Sequence, residues 1–344
     1  MTPKPTTVRH AGWALLMSGA LLLGSCSAGA KGSDGDLKVA LFIEVANNSA
    51  VQSTITGVQD EAKKVGATVD VFDAKFDAAT QVSQLQNALL RDYDAWIVAP
   101  VNGDVVCDVL TKQAAEQKIP VAVVTLPICG RSVNEGEELW APGTLTYVGG
   151  NETPASFKAV MEHAIEENPG AHKVGVLTGP DLHPITLSYE KALAEIKQEH
   201  PDFEVVSKLR TDYSPPDSQA KAESMLQAQP AIDIIITVYS TMSKGVVAAL
   251  QSSGRKPGEV KIYENGGAGW SVDQIKSGWL QSSTGFYRAT AGATALKLIA
   301  DHPDGQDVPH VVLNDGHNLL KGQSEGQVGL LTADNLAEYK AESP

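Results

Sequence analysis

Polar residues gather at the ends of apolar runs in this chain: Glu44 with Asn47 and Asn48, Asp181 with His183, Tyr239 with Ser240, and Glu264 with Asn265. Acids and amides make strong hydrogen bonds to hydroxyl groups, and aromatic rings cover C–H faces, a part for which Phe286, Tyr287, Trp140 and Trp270 are candidates. The chemistry this suggests is recognition of a small polyhydroxylated molecule. Patterns for covalent work are missing: there is no Gly-x-Ser-x-Gly elbow, no Walker loop and no His-x-x-x-His pair. Gly266-Gly267-Ala268-Gly269 follows a strand and precedes a helix, but Val272 stands where a dinucleotide fingerprint needs its third glycine, so the segment reads as a turn. An enzyme is not expected, nor a catalytic residue, a metal or a cofactor.

Other readings of these residues stand beside that one. Asn47 and Asn48 also suit a turn or a helix cap, and His183 precedes Pro184 in what reads as a loop. Trp279, at a strand entry, fits a core role. Glu264 is the sharpest candidate, because a carboxylate at a strand end facing a cleft is costly without a partner. If Glu44 and Glu264 both face the cleft with no arginine opposite, the site favours hydroxyls or a cationic group and rejects carboxylates. Arg288 is available to pair with one of them and restore neutrality.

The elements that must hold these residues alternate. Strands are expected at Val39 to Val45, Thr68 to Phe72, Ala95 to Ala99 and Val121 to Thr125, with helices at Val51 to Val65, Ala79 to Leu90 and Val105 to Gln117. After a loop with Trp140 and Pro142 the rhythm restarts. Strands then fall at Lys173 to Leu177, Glu204 to Lys208, Ile232 to Val238, Lys261 to Tyr263 and Gln281 to Thr284. Their helices run over Pro154 to Glu167, Pro184 to Glu199, Ser218 to Ala228, Met242 to Ser253 and Ser271 to Lys276, followed by a helix at Thr290 to Ala300 and a strand at Pro309 to Leu313. Strands alternating with helices imply parallel sheets covered on both faces. The reading is therefore α/β, with two similar doubly wound parallel-sheet lobes and a ligand cleft lined by the carboxyl ends of their strands.

The N-terminus carries an address. Lys4 and Arg9 precede an apolar run from Ala11 to Leu23, too short to span a bilayer, which ends in Leu23-Gly24-Ser25-Cys26. This resembles the lipobox of bacterial lipoproteins, in which the cysteine receives the lipid; the other reading is an ordinary signal peptide with an incidental cysteine. Residues 1–25 would be the signal peptide, Cys26 the lipidation site, and 26–36, rich in Gly, Ser and Asp, a flexible tether at the outer face of the cell membrane. A net charge of -14 argues against a nucleic-acid partner, which needs a basic footprint. In an oxidising compartment Cys107 and Cys129 are expected to form a disulfide, the alternatives being two buried thiols or a metal pair.

The series Val39-Ala40-Leu41-Phe42-Ile43 leading to Asn47-Asn48, then Ala95-Trp96-Ile97-Val98-Ala99-Pro100, Lys118-Ile119-Pro120-Val121 and Val260-Lys261-Ile262-Tyr263-Glu264-Asn265-Gly266 resembles the type I periplasmic binding proteins of sugar ABC transporters, the ribose-binding group. The cysteine placement is similar to that of the autoinducer-2-binding and rhamnose-binding branch. The resemblance implies two lobes joined by a three-strand hinge, here near Val148-Gly149-Gly150, Tyr287-Arg288 and Leu313-Asn314. The first lobe would comprise 37–148 plus 288–313 and the second 149–287 plus 314–340. It also implies a receptor that closes on a small sugar or polyol and docks on a membrane ABC permease; a monomer is expected. Asn48 falls where such receptors bind sugar hydroxyls and Glu264 where they use an aspartate. Ala50 and Val51 replace the usual aromatic pair, Thr125-Leu126 an Asp-Arg pair, and Tyr239 an asparagine.

Overall fold

The computed structural model describes residues 37–313 and 328–344. Cys26, the leader, the tether and Asn314 lie outside the described residues.

The first sheet is built from β1 (Leu37–Ile43), β2 (Ala67–Asp73), β3 (Ala95–Val98), β4 (Val121–Thr125), β5 (Thr146–Gly149) and β11 (Val311–Leu313), ordered β11-β5-β4-β3-β1-β2. All its pairings are parallel. Successive side chains of a strand face opposite ways, so the apolar run of β1 serves two cores at once. Val39, Leu41 and Ile43 pack with α1 (Ser49–Val65) and α9 (Arg288–Asp301), whereas Ala40 and Phe42 pack with Trp96, Leu85 and Leu110 on the other face. That second face is covered by α2 (Ala78–Ala88) and by a helical stretch from Cys107, a π-turn at Val109–Gln113 running into α3 (Ala114–Glu116).

The second sheet repeats the plan with β6 (His172–Thr178), β7 (Phe203–Arg210), β8 (Ile234–Thr237), β9 (Lys261–Glu264), β10 (Leu280–Thr284) and β12 (Leu330–Leu331), ordered β12-β10-β9-β8-β6-β7. Only β12 runs antiparallel among its described pairings. Its helices are α4 (Pro154–Glu167), α5 (Pro184–Glu199), α6 (Pro215–Ala228), α7 (Ser240–Ser252) and α8 (Gly269–Ser277). Pro154, Pro184 and Pro215 open three of them, at a position whose N–H has no helical partner to lose. The expected two-lobed, doubly wound α/β architecture is thus the observed one.

The chain passes between the sheets after β5, after β10 and between β11 and β12. The first two passages are tied together: Asn151 donates to the Gly285 carbonyl at 2.6 Å, and Asn265 donates to the Asn151 carbonyl at 2.8 Å. The expected Cys107–Cys129 disulfide is present, whereas one helix start and two strands, β5 and β12, differ from the sequence reading. The helix read from Val105 begins at Cys107, because Gly103 is pressed against the Pro127 carbonyl and the Cys129 N–H bonds the Gly103 carbonyl at 3.1 Å, which holds the preceding turn out of helical register. Cys107 and Cys129 are disulfide-bonded, their Cα atoms 5.0 Å apart. β5 lay inside a stretch read as loop, masked by Pro142 and Gly143 just before it, and β12 is too short to carry a pattern.

α1 and α9 approach backbone to backbone through Gly57 and Gly292. A Cβ at Gly57 would sit 2.0 Å from the Ala289 carbonyl oxygen, so Gly57→Ala must push the helices apart. Overpacking of this kind costs about 1–3 kcal/mol. The urea midpoint of Gly57→Ala should fall accordingly; an unchanged midpoint would mean that the helices slide without cost.

Candidate functional site

A cavity of about 640 Å³ opens between the two lobes. Its floor is ionic. Glu44 directly follows β1, Glu152 lies in the first passage between the sheets, and Arg288 is the first residue of α9. Arg288 Nη2 donates to Glu44 Oε1 at 2.9 Å and stands 3.8 Å from Glu152 Oε1, with the three side chains 6%, 6% and 1% exposed. Glu44 Oε2, both Glu152 oxygens, and Arg288 Nε and Nη1 have no hydrogen-bond partner among the described residues. Buried charges left this way are expensive. Hydroxyl groups have the chemistry to satisfy them, since an O–H can donate to a carboxylate while its oxygen accepts from the guanidinium.

The wall is aromatic. Phe76 reaches across from the loop after β2 and stacks on His183, ring centroids 5.8 Å apart, and His183 Nδ1 is hydrogen-bonded to the Tyr213 hydroxyl at 2.8 Å. Tyr213 meets Tyr239 edge to face, and Tyr239 meets Phe286 in the same way. Lys75 and Phe76 adopt the left-handed region, φ 53 and 59, which is uncommon for side chains of this size. Hydrogen bonds hold them there: the Lys75 N–H donates to Asp73 Oδ1 at 2.8 Å and the Phe76 N–H to the Glu44 carbonyl at 2.7 Å.

Residues 39–307 match the periplasmic binding protein domain family. The chain belongs to that family. The ribose import binding protein of Bacillus subtilis is 26% identical over 226 residues, 65% of this chain and 68% of the relative. The xylitol-binding protein of Mycolicibacterium smegmatis is 24% identical over 305 residues, 86% and 81% of the two chains. In fold, the chain is similar to a Caulobacter myo-inositol binding protein in complex with myo-inositol, with a TM-score of 0.76 at 19% identity, covering 89% of this chain and 97% of that one.

Of the residues singled out from the sequence, this periplasmic binding protein places Glu44, Asn47, Asn48, His183 and Tyr239 on the main cavity. Asn48 is also a helix cap, its Oδ1 accepting from the Ala50 N–H at 2.9 Å and the Val51 N–H at 3.3 Å. Glu264 and Asn265 are fully buried behind the cavity. Glu264 Oε1 accepts from Ser240 Oγ at 3.0 Å and Ser283 Oγ at 2.7 Å, while Asn265 ties the first passage to the second sheet. Glu264 thus stands among hydroxyls of its own lobe. Ser240 and Phe286 border a smaller recess next to Ser343 and Pro344. Asp181 points outward, 76% exposed, and pairs with Arg210 Nε at 2.7 Å. Trp140 stacks on His310 and Trp270 meets Lys244.

The carboxylate opposite Glu44 is therefore Glu152, not Glu264, and an arginine does face them. Glu152, Phe76 and Tyr213 escaped the sequence reading. Phe76 and Tyr213 follow β2 and β7, so a search of every strand end would have found them. Glu152 carries no pattern beyond its place after Gly150.

Burial sets the protonation of the site. Desolvation pushes the Glu152 carboxyl up to about 7, with Arg288 pulling it down and Glu44 pushing it up. Burial brings His183 down to about 4, so it is a neutral imidazole at pH 7. Desolvation likewise raises the Tyr239 and Tyr213 hydroxyls, which stay protonated. Arg288 is opposed by its burial, but Glu44, Tyr239 and Glu152 outweigh that and keep it charged.

Because the folded Glu152 binds its proton more tightly than the unfolded one, its contribution to stability is fully present below pH 4.5 and is lost as pH rises through about 7. The loss is on the order of 3 kcal/mol. Urea unfolding followed from about pH 5 to about pH 8 should show the native protein losing stability relative to Glu152→Gln, a comparison that cancels the opposite rise contributed in both by His183, held neutral by its burial. Equal slopes would place the Glu152 titration elsewhere.

Proposed function

We propose that this periplasmic binding protein is the solute receptor of an ABC importer, capturing a small sugar or polyol between its lobes and delivering it to a membrane permease. The observation that carries the reading is the Glu44–Arg288–Glu152 floor, whose free acceptors and donors face a cleft walled by aromatic rings. The relatives named for ribose and xylitol support it, as does the fold shared with the myo-inositol receptor. A ligand touching both lobes would shift the population toward a closed form.

The ligand set in this reading is Glu44, Asn47, Asn48, Glu152, His183, Tyr239 and Arg288, with Phe76 and Tyr213 covering the C–H face. The lobes divide at 37–148 plus 288–313 and 149–287 plus 314–340. The receptor acts as a monomer, with no nucleic-acid partner and no catalytic step. It is exported by residues 1–25 and held at the outer face of the cell membrane through a lipid on Cys26. Two carboxylates around one guanidinium also favour a second reading, a cationic solute. A sensory receptor would use the same cleft.

Calorimetry against D-ribose, xylitol, myo-inositol, D-glucuronate and putrescine separates these readings. A neutral polyol should bind and D-glucuronate should not. Arg288→Ala should weaken the bound polyol about a hundredfold, the equivalent of two charge-assisted hydrogen bonds. Tight binding of D-glucuronate sinks the charge argument, and binding of putrescine alone selects the cationic reading. In cells, Cys26→Ser should move the protein from the membrane fraction to the soluble one; retention in the membrane removes the anchor.

A further inference from the structure

The segment after β12 runs back over both lobes. Tyr339 donates its hydroxyl hydrogen to the Gly267 carbonyl at 2.6 Å and accepts from the Phe286 N–H at 3.1 Å. The Ser343 carbonyl accepts from the Gly269 N–H at 2.8 Å, at the start of α8 in the second lobe. Between them Glu342 turns to the first lobe. Its carboxylate accepts from the Ala289 N–H at 2.7 Å, from the Thr290 N–H at 3.0 Å and from the Thr290 hydroxyl, and its carbonyl accepts from Ser53 Oγ of α1 at 2.6 Å.

These contacts end at the first turn of α9, where Tyr287 at the N-cap makes no side-chain cap bond. A helix start leaves its first N–H groups without partners and carries partial positive charge. Glu342 supplies the missing acceptor and a negative charge from 52 residues away. The residue immediately before the capped N–H groups is Arg288, whose guanidinium must hold its place between Glu44 and Glu152.

We propose that Glu342 is a positioning residue for the binding site: by closing the first turn of α9 it sets Arg288 in register with Glu44 and Glu152. The functional meaning of this rests on the reading of that floor as the ligand site, but the register itself does not. The competing account is that α1 alone fixes α9, through the close approach at Gly57 and Gly292. Under that account Glu342 holds only the tail.

The test uses the ligand-free full chain, so its failure is separate from failure of the sugar reading. Glu152 reports where Arg288 sits, since Arg288 lowers its titration while Glu44 raises it, and Tyr239 and Tyr213 are the other titratable groups coupled to it. The Glu152 carboxyl is followed by NMR in carbon-13 glutamate-labelled protein, with Glu152→Gln giving the assignment. In Glu342→Ala the midpoint should rise by roughly one unit as Arg288 withdraws, and the Ala289 and Thr290 amides should exchange about tenfold faster. Glu342→Gln keeps an acceptor and should fall between the two. If Glu342→Ala does not fold, Glu342→Gln and Thr290→Val are read against the native protein by the same upward shift. A Glu152 midpoint that stays put or falls while the α9 amides loosen overturns the proposal and leaves Glu342 a fastening for the tail.

Discussion

Everything at the centre of this protein depends on keeping one guanidinium charged in a place where water is largely excluded. Arg288 has lost most of its hydration, and two carboxylates from separate segments compensate it unequally: Glu44 by a direct bond, Glu152 at a longer distance. Replacing one partner would strand the others, since an uncompensated buried charge is far more costly than the pair is favourable. The three residues come from the end of β1, the first passage between the sheets and the start of α9. Their mutual neutralisation therefore also couples the first lobe to the connection leading into the second.

The backbone around this centre is arranged to bring polar atoms to one rim. In a parallel sheet every strand points its carboxyl end the same way, and loops at that end are free to vary while the apolar runs stay buried. Glu44, Phe76, Leu126, His183, Tyr213 and Tyr239 all follow strands. The left-handed backbone at Lys75 and Phe76 shows how strongly the loop after β2 is constrained, with Asp73 and the Glu44 carbonyl holding Phe76 toward the opposite lobe.

Much of this was legible in the residues. Alternating short apolar runs and amphipathic stretches gave the two lobes, and β1 with its five fully buried residues is the plainest case. The strand-end rule pointed to Glu44, Asn47, Asn48, His183 and Tyr239, and all five line the cavity. It put Glu264 at the cleft, but being at a strand end does not say which way a side chain turns: the structure buries Glu264 off the main cavity, with Oε1 accepting from Ser240 and Ser283 and Oε2 without a partner among the described residues. It failed at Asp181 because Arg210, on the neighbouring β7, draws that carboxylate outward. Glu152 was unreadable for a different reason. Its role arises from the meeting of three distant segments, and pairing across 136 positions leaves no local pattern.

The cross-tie at Asn151 has a mechanical consequence. Two ribbons that join a pair of plates independently let the plates swivel as well as fold. Once the Asn151 amide is fastened to the Gly285 carbonyl and Asn265 to Asn151, the two ribbons act as one leaf of a door. A joint tied in this way would favour folding of the lobes about the line through that leaf over swivelling, so that the rim residues would meet along one arc.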